Sequence, residues 1–327
     1  MPARLDHDLI ELGGAGIAIV ELGRADTAPT GPGVVRVGVD RDGKLPGDAL
    51  EAFDILLTAA PNPPRPWVSA AGDSLDAASA LLAEQIARQP TAAAAAAQVL
   101  RATLKLSFDE ALTLESLAYS MLLASDGFRA WRAATPPRDR PDDGAPRVRI
   151  EEQGGALVIR LTRPERRNAF DARMRDELTE ALAFAAGHPD APPVVLRGAG
   201  PAFSAGGDLD EFGRADDVGL AHLIRTLRSP AGLVHGLGDR IAARLHGACV
   251  GAGIEVPAAA ARITAAPGAV FRLPEVSMGL IPGAGGTASI PRRIGRHRAA
   301  YMAISGAEID LPTALAWGLV DAEAPAS

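Results

Sequence analysis

The chain has 327 residues, with 33 basic against 40 acidic side chains and a formal charge of −7. That length allows one large or two ordinary domains with a substantial core. Hydrophobic residues at 47% and charged residues at 22% exclude a disordered chain, and the negative balance argues against nucleic acid or an anionic membrane as the main partner.

The single cysteine, Cys249, excludes an internal disulfide and a cysteine-cluster metal site. The six histidines show no metal-ligand spacing, so no metal is expected. No apolar stretch reaches spanning length, and the opening MPARLDHDLIEL lacks the basic-then-apolar layout of a signal peptide. A cytoplasmic address is the resulting expectation.

In chain order, the first segment is strand-like. Gly14-x-Gly16 has the look of a dinucleotide loop, but it lacks the third glycine and runs into Ile-Ala-Ile-Val rather than a helix. Residues 75–132 read as helices: Leu81, Leu82 and Ile86, then Val99, Leu100, Leu104 and Leu106, then Leu112, Leu114, Leu117, Met121 and Leu122 recur at helical spacing. The alanine run 92–97 favours helix but is too small-sided to make a core alone. Ser107 and Glu110 have the spacing of a capping box. The stretch 135–147, rich in Pro, Asp and Arg without apolar periodicity, reads as an extended, solvated linker.

Beyond the linker, strand and helix alternate. Segments 149–152 and 156–161 flank Gly154-Gly155 as a hairpin, 171–186 is an amphipathic helix, and 193–197 is a short buried strand, which together predict an α/β layer architecture. An internal echo accompanies this: residues 10–20 resemble 150–159, and 55–61 resemble 262–267. Chance similarity in Ala/Gly-rich sequence is the competing explanation.

Three segments of the second half carry the chemistry. Pro201-Ala-Phe-Ser-Ala-Gly-Gly-Asp-Leu209 is a strand end entering a small-residue turn whose glycines let backbone approach a ligand closely. His246-Gly-Ala-Cys-Val-Gly-Ala-Gly-Ile-Glu-Val-Pro257 is a second glycine turn, expected to open a helix with Pro257 tolerated in its first turn. Two such turns brought together form an oxyanion hole, in which each preorganised N–H contributes on the order of 3–4 kcal/mol to a charged transition state. The third segment, Phe271–Thr287, holds Glu275, which with Glu255 sits among apolar and glycine residues where a solvated carboxylate is not the expected occupant. His246 and Cys249 border the second turn, but no third orienting group accompanies them, and packing is the better reading.

In order and spacing these segments, AFSAGGDL, GAGIE and FRLPE…GLIPGAGGT, resemble the signature of the crotonase (enoyl-CoA hydratase/isomerase) superfamily. Asn168-Ala169 matches its early coenzyme-binding turn, and the likeness covers most of 148–322. The resemblance implies a ββα spiral core and oxyanion donors from the backbone of Gly207 and Ala252. It places Glu255 and Glu275 at the two acid/base positions of the family's hydratases. Contacts to the coenzyme A part of the substrate fall to Arg166, Arg167, Ala169, Ala205, Asp208, Leu209 and Gly251, with Asp208 bracing its turn. Coenzyme A enters only as part of the substrate thioester, with no tightly bound cofactor. A homo-oligomer, trimer or hexamer, is the implied assembly.

Two residues depart from the family's wording: Ala252 stands for a usual glycine, and Pro257 follows Glu255 closely. A larger departure is topological. The family's closing helices normally follow the Gly-Leu-Val-Asp strand, whereas here similar wording, Ser107–Glu115 and Ala124–Arg129, precedes the core. The expected organisation is therefore a degenerate strand-containing remnant in 1–72, a helical cap or oligomerisation segment in 73–134, the linker 135–147, and a crotonase-like core in 148–327. Hydration of a 2-enoyl-CoA is the leading functional expectation. Another crotonase-type reaction (isomerisation or oxygenation) and a non-catalytic acyl-CoA-binding subunit are the alternatives.

Overall fold

The computed structural model describes residues 16–23, 31, 33–48, 50–70, 74–139 and 144–324. Residues 10–15 of the internal echo, with Gly14 of the Gly-x-Gly, lie outside them.

The first half opens with four strands, β1 (Ile17–Glu21), β2 (Val35–Asp40), β3 (Ile55–Thr58) and β4 (Val68–Ser69), paired in that order and all parallel. Near-continuous burial along β2 and β3 is what a parallel sheet covered on both faces requires. Val37, Val39, Ile55 and Leu57 join the main core, while Val20, Leu56, Phe53 and Trp67 form a separate cluster.

Four helices follow: α1 (Leu75–Arg88), α2 (Pro90–Thr103), α3 (Phe108–Leu123) and α4 (Asp126–Ala134). The Ser107–Glu110 capping box is formed in both directions and starts α3. The alanine run contributes more than its size predicts. Ala92, Ala93, Ala95, Ala96 and Ala97 are all buried in α2, because small side chains let that helix lie close against its neighbours. Not all of the periodic leucines point inward. Leu81, Leu104, Leu117 and Met121 are exposed, and the inward stripe of α3 is Phe108, Ala111, Glu115, Tyr119 and Leu122. Residues 136–139 and 144–146 of the linker run exposed, tied down where Arg138 bonds Asp210. Its last residue, Arg147, is buried and paired with Asp171, so the expected solvated stretch ends before it.

In the second half β5 (Val148–Gln153) and β6 (Ala156–Leu161) form the expected antiparallel hairpin, with Gly154 and Gly155 at φ 58° and 78°, angles suited to a two-residue turn. The chain then runs through α5 (Ala172–Ala186), β7 (Val194–Gly198), α6 (Val218–Leu227), α7 (Pro230–Gly236), β8 (Ile241–Leu245), β9 (Ala248–Val250) and α8 (Ala252–Glu255). It continues through β10 (Arg262–Ala265), β11 (Val270–Arg272), α9 (Gly286–Ile294), α10 (Arg296–Ser305), β12 (Ile309–Asp310), α11 (Leu311–Trp317) and β13 (Ala322–Glu323). A six-stranded sheet has the order β13-β10-β8-β7-β6-β5, and a smaller one has the order β12-β11-β9.

Strands pass from one sheet to the other at corners. β8 leaves the large sheet, turns at Gly247 (φ 55°) and enters the small sheet as β9; β10 does the same through Gly268 to become β11. A side chain at Gly247 would lie 2.2 Å from the Pro201 carbonyl oxygen, so the corner admits only glycine. Repeated strand–corner–strand steps make the expected ββα spiral.

One local expectation is corrected. The helix after the second glycine turn is a single turn, Ala252–Glu255, and Pro257 starts a separate 3-10 turn, Pro257–Ala259. Proline has no N–H to extend the helical ladder, which breaks there.

The two halves are packed together. Helix α10 lies against α1, α2 and β3. Its buried Arg296 donates to the carbonyls of Phe53 and Glu51, and its buried Arg298 donates to those of Trp67 and Pro63. Helix α3 lies against α6, α9 and α2, which sets it over the ends of the spiral where the glycine turns are found.

Candidate active site

A cavity of about 720 Å³ opens between α3, α6 and the glycine turns, lined by Gly207, Asp208, Ala252, Glu255 and Glu275 together with Glu115, Tyr119, Phe170, Phe212 and Arg225. The first two turns meet through the backbone. Val250 N–H donates to the Ser204 carbonyl (3.0 Å), and Ser204 N–H donates to that of Ala248 (3.2 Å). Gly253 packs so closely that a Cβ there would lie 2.6 Å from the Ser204 carbonyl oxygen. Among the hydrogen bonds of the described residues, the N–H groups of Gly207 and Ala252 have no protein acceptor, and both residues line the cavity. Two orphan donors facing one space, one of them at a helix N-terminus, can stabilise a developing oxyanion.

Glu255 and Glu275 flank the second turn. Gly251 has φ 49°, and a Cβ on it would sit 2.4 Å from Glu275 Oε1 and 3.7 Å from Glu255 Oε1, so both carboxylates crowd one side of that residue. Glu255 is 2% exposed; its Oε2 accepts from Ala284 N–H (2.7 Å) and Gly286 N–H (3.0 Å). Glu275 is 7% exposed, and its Oε2 is buried with no hydrogen-bond partner among the described residues. An unpartnered buried oxygen costs roughly 1–3 kcal/mol, a cost that proteins accept mainly where the group has work to do.

Burial dominates the electrostatics. Loss of solvent pushes Glu275 up to about 8, with the charge of Glu115 adding to the rise. Glu255 is raised well above the usual carboxylate range by burial first, then by the charges of Glu275 and Glu115. Like charges in a shared dry site resist simultaneous ionisation, so these carboxylates take up and release protons as a coupled group.

Of the remaining residues singled out from the sequence, Asp208 lines the cavity and the others lie outside it. Asp208 accepts from Arg163 (3.0 Å) and from Asp210 N–H (3.2 Å), which braces the turn. Arg166 is spent on Asp210 and Asp208 (3.4 and 3.6 Å), and Arg167 is exposed at φ 49°. Ala169 and Ala205 are half-buried in adjoining backbone, Leu209 is at the surface, and Gly251 lies behind the carboxylates; none of these four, nor Arg166 or Arg167, lines the cavity. Asn168 is the keystone of its turn. Its side chain accepts from Arg163 N–H and donates to the carbonyls of Ala199, Ala202 and Phe203. Cys249 and His246 form no dyad: the thiol faces backbone carbonyls and is pushed up by burial, and the imidazole pairs with Gly200 O.

Sequence reasoning missed Glu115. Its signal was available, since it is a carboxylate on the apolar stripe 108, 111, 115, 119, 122 of a capped helix, where a lysine or glutamate has no reason to be unless it is paired. Among the described residues, no group of three His, Cys, Asp or Glu side chains could hold a metal ion, and no helix is long and apolar enough to cross a membrane.

Comparison with known proteins gives the chain's family. Residues 151–327 match the family model described as enoyl-CoA hydratase/isomerase. A probable enoyl-CoA hydratase of Rhodobacter capsulatus is 38% identical over 174 residues, 53% of this chain and 66% of that protein. The 1,2-epoxyphenylacetyl-CoA isomerase of Escherichia coli is 32% identical over 51% of this chain and 65% of its own length. In both cases the chain spans just under two thirds of the relative. The crystal structure of an enoyl-CoA hydratase from Thermoplasma volcanium superposes with a TM-score of 0.52 at 34% identity, covering 56% of this chain and 73% of that one.

Proposed function

The chain belongs to the enoyl-CoA hydratase/isomerase family, and from that premise we propose that it hydrates a 2-enoyl-CoA thioester through an enolate held by the N–H groups of Gly207 and Ala252. The observation that carries the reading is the pair of buried carboxylates, Glu255 and Glu275, crowding one turn beside two unpaired N–H donors. Glu255 removes a proton from water as it attacks Cβ. Glu275 delivers a proton to Cα, the two carboxylates sharing one proton between them because burial and like-charge repulsion raise both. Two acid/base groups suit addition of water, which needs a base for the nucleophile and an acid for the carbon.

Further features support the same reading. Phe170, Phe212, Leu112, Leu220 and Ile224 give the cavity an apolar lining suited to an acyl chain. Helices α3 and α4 of segment 73–134 serve as the family's closing helices, moved ahead of the core and folded onto its cavity. Leu117, Met121, Leu220, Leu223 and Leu227, exposed on α3 and α6, belong to the interface of a homo-oligomer, which light scattering would reveal.

The test is turnover of crotonyl-CoA and a longer 2-enoyl-CoA, followed by loss of enoyl absorbance and by product mass. A 3-hydroxyacyl-CoA product, lost in Glu255→Gln and Glu275→Gln, is the expected result. A shifted double bond without added mass would replace hydration by isomerisation. Tight binding without turnover at any chain length would make the chain a silent acyl-CoA-binding subunit.

A further inference from the structure

The turn entering α9 has four consecutive N–H groups, and two different carboxylates divide them. Ala284 and Gly286 donate to Glu255 Oε2 (2.7 and 3.0 Å). Gly285 donates to Glu115 Oε1 (2.7 Å), and Thr287 donates to Glu115 Oε2 through both its N–H and its hydroxyl (2.7 Å each). Gly285, at φ 103°, supplies the crank that turns alternate N–H groups to opposite sides, and a Cβ on it would lie 2.4 Å from that of Ala231. Gly286 is pressed equally hard from the other side, where a Cβ would lie 2.6 Å from Glu255 Cγ. A shift of this turn therefore moves Glu255.

Glu115 is itself 2% exposed and sits on α3, outside the stretch that matches the family model. We propose that Glu115 is a positioning residue of the active site: by holding Gly285 and Thr287 it fixes the 284–287 turn, and the turn fixes the carboxylate of Glu255. The helical segment ahead of the core would then complete the catalytic geometry as well as cover it. The inference rests on Glu255 being a reacting group.

Its charge acts in the same direction. The groups facing this cluster are Glu255 from α8, Glu275 from the turn after β11, Arg272 from the end of β11, whose charge lowers Glu275, Tyr119 from α3, and Arg225 and His222 from α6, both bonded to Ser116 beside Glu115. Burial raises Glu115 itself to about 7, so its charge is present above that pH, where it raises both Glu255 and Glu275. Removing it lets that pair ionise at lower pH.

The experiment compares Glu115→Gln and Glu115→Asp with the unaltered full-length chain. Glutamine keeps the size of the side chain but turns an NH2 toward a backbone donor and removes the charge. Hydration kinetics from pH 5.5 to 9.5 should show kcat reduced roughly 10- to 100-fold in Glu115→Gln with KM changed less than about 3-fold. The alkaline limb should move down by about one pH unit, and Glu115→Asp should recover part of the rate. Thr287→Val, which removes only the hydroxyl donor, tests the same link if Glu115→Gln fails to fold; a roughly 3- to 10-fold loss of kcat is expected. Carboxyl ¹³C NMR titration of Glu255 and Glu275 reads the pair without any turnover, so it stands even if the hydratase reading falls. An unchanged titration and an unchanged alkaline limb, or a kcat loss accounted for entirely by unfolded protein, would overturn the proposal.

Discussion

Buried carboxylates occur in both halves of the molecule and are treated in opposite ways. In the N-terminal sheet, Asp54 accepts from Arg36 N–H and is gripped by Arg101 through Nε and Nη2 (2.7 and 2.6 Å), and Asp40 accepts from Lys44 N–H, Leu45 N–H and the Thr58 hydroxyl. In the cavity, Glu255 accepts from backbone donors on one oxygen, and among the described residues Glu275 Oε2 has no hydrogen-bond partner and no arginine or lysine ion pair is formed with either. Full pairing holds a carboxylate in one place as part of the scaffold. Incomplete pairing in a dry site leaves a group whose ionisation is raised and which is free to move a proton. That difference separates scaffold from site more sharply than fold does, because both halves are built on mainly parallel sheets packed with helices.

The contrast predicts which quantity each substitution moves. Glu255→Gln or Glu275→Gln should lower kcat roughly 10²- to 10⁴-fold, the usual worth of a general acid or base, without loss of folded protein by circular dichroism. Asp54→Ala should do the reverse. It takes the carboxylate from Arg101, which keeps its bond to the Val34 carbonyl, and costs about 3–5 kcal/mol in denaturant unfolding, while the kcat of the folded fraction stays at the wild-type value.

A pH scan sharpens the comparison. Glu275 is held up at about 8 in the folded chain by burial, against an ordinary value of 4.5. Its protonated form is favoured on folding, so the stability linked to that proton is complete below about 4.5 and is lost as pH rises through about 8. Melting temperature should therefore fall between pH 5 and 9, and Glu275→Gln should flatten that fall. A wild-type curve with no such fall would remove the raised ionisation from the account. The smallest effect is reserved for a residue outside both sets: Ser125→Ala, which deletes the side-chain cap of α4 on Phe128 N–H, should cost about 1 kcal/mol and leave kcat alone.

Much of this was legible in the chain itself. The Gly154-Gly155 turn, the Ser107–Glu110 cap and the helix after Asp171 are local structures written in a few adjacent residues, and the glycine turns announced close backbone approach. The fates of Leu117 and Met121 were not legible, since helical spacing marks a stripe but does not say which of two stripes meets the core. Nor was the burial of the alanine run, which depends on how closely a partner helix lies.

The sequence by itself determined the α/β layering and the two glycine turns, because periodicity and turn chemistry are properties of neighbouring residues, while the spiral and the choice of the two glutamates rested on a resemblance in motif order. Only the tertiary structure decided that Glu115, 140 and 160 positions from Glu255 and Glu275, shares their cavity, and that Arg166 is consumed by Asp208 and Asp210. Those outcomes depend on burial and on which donors remain unpaired once distant segments have packed. Such quantities exist only in the folded chain.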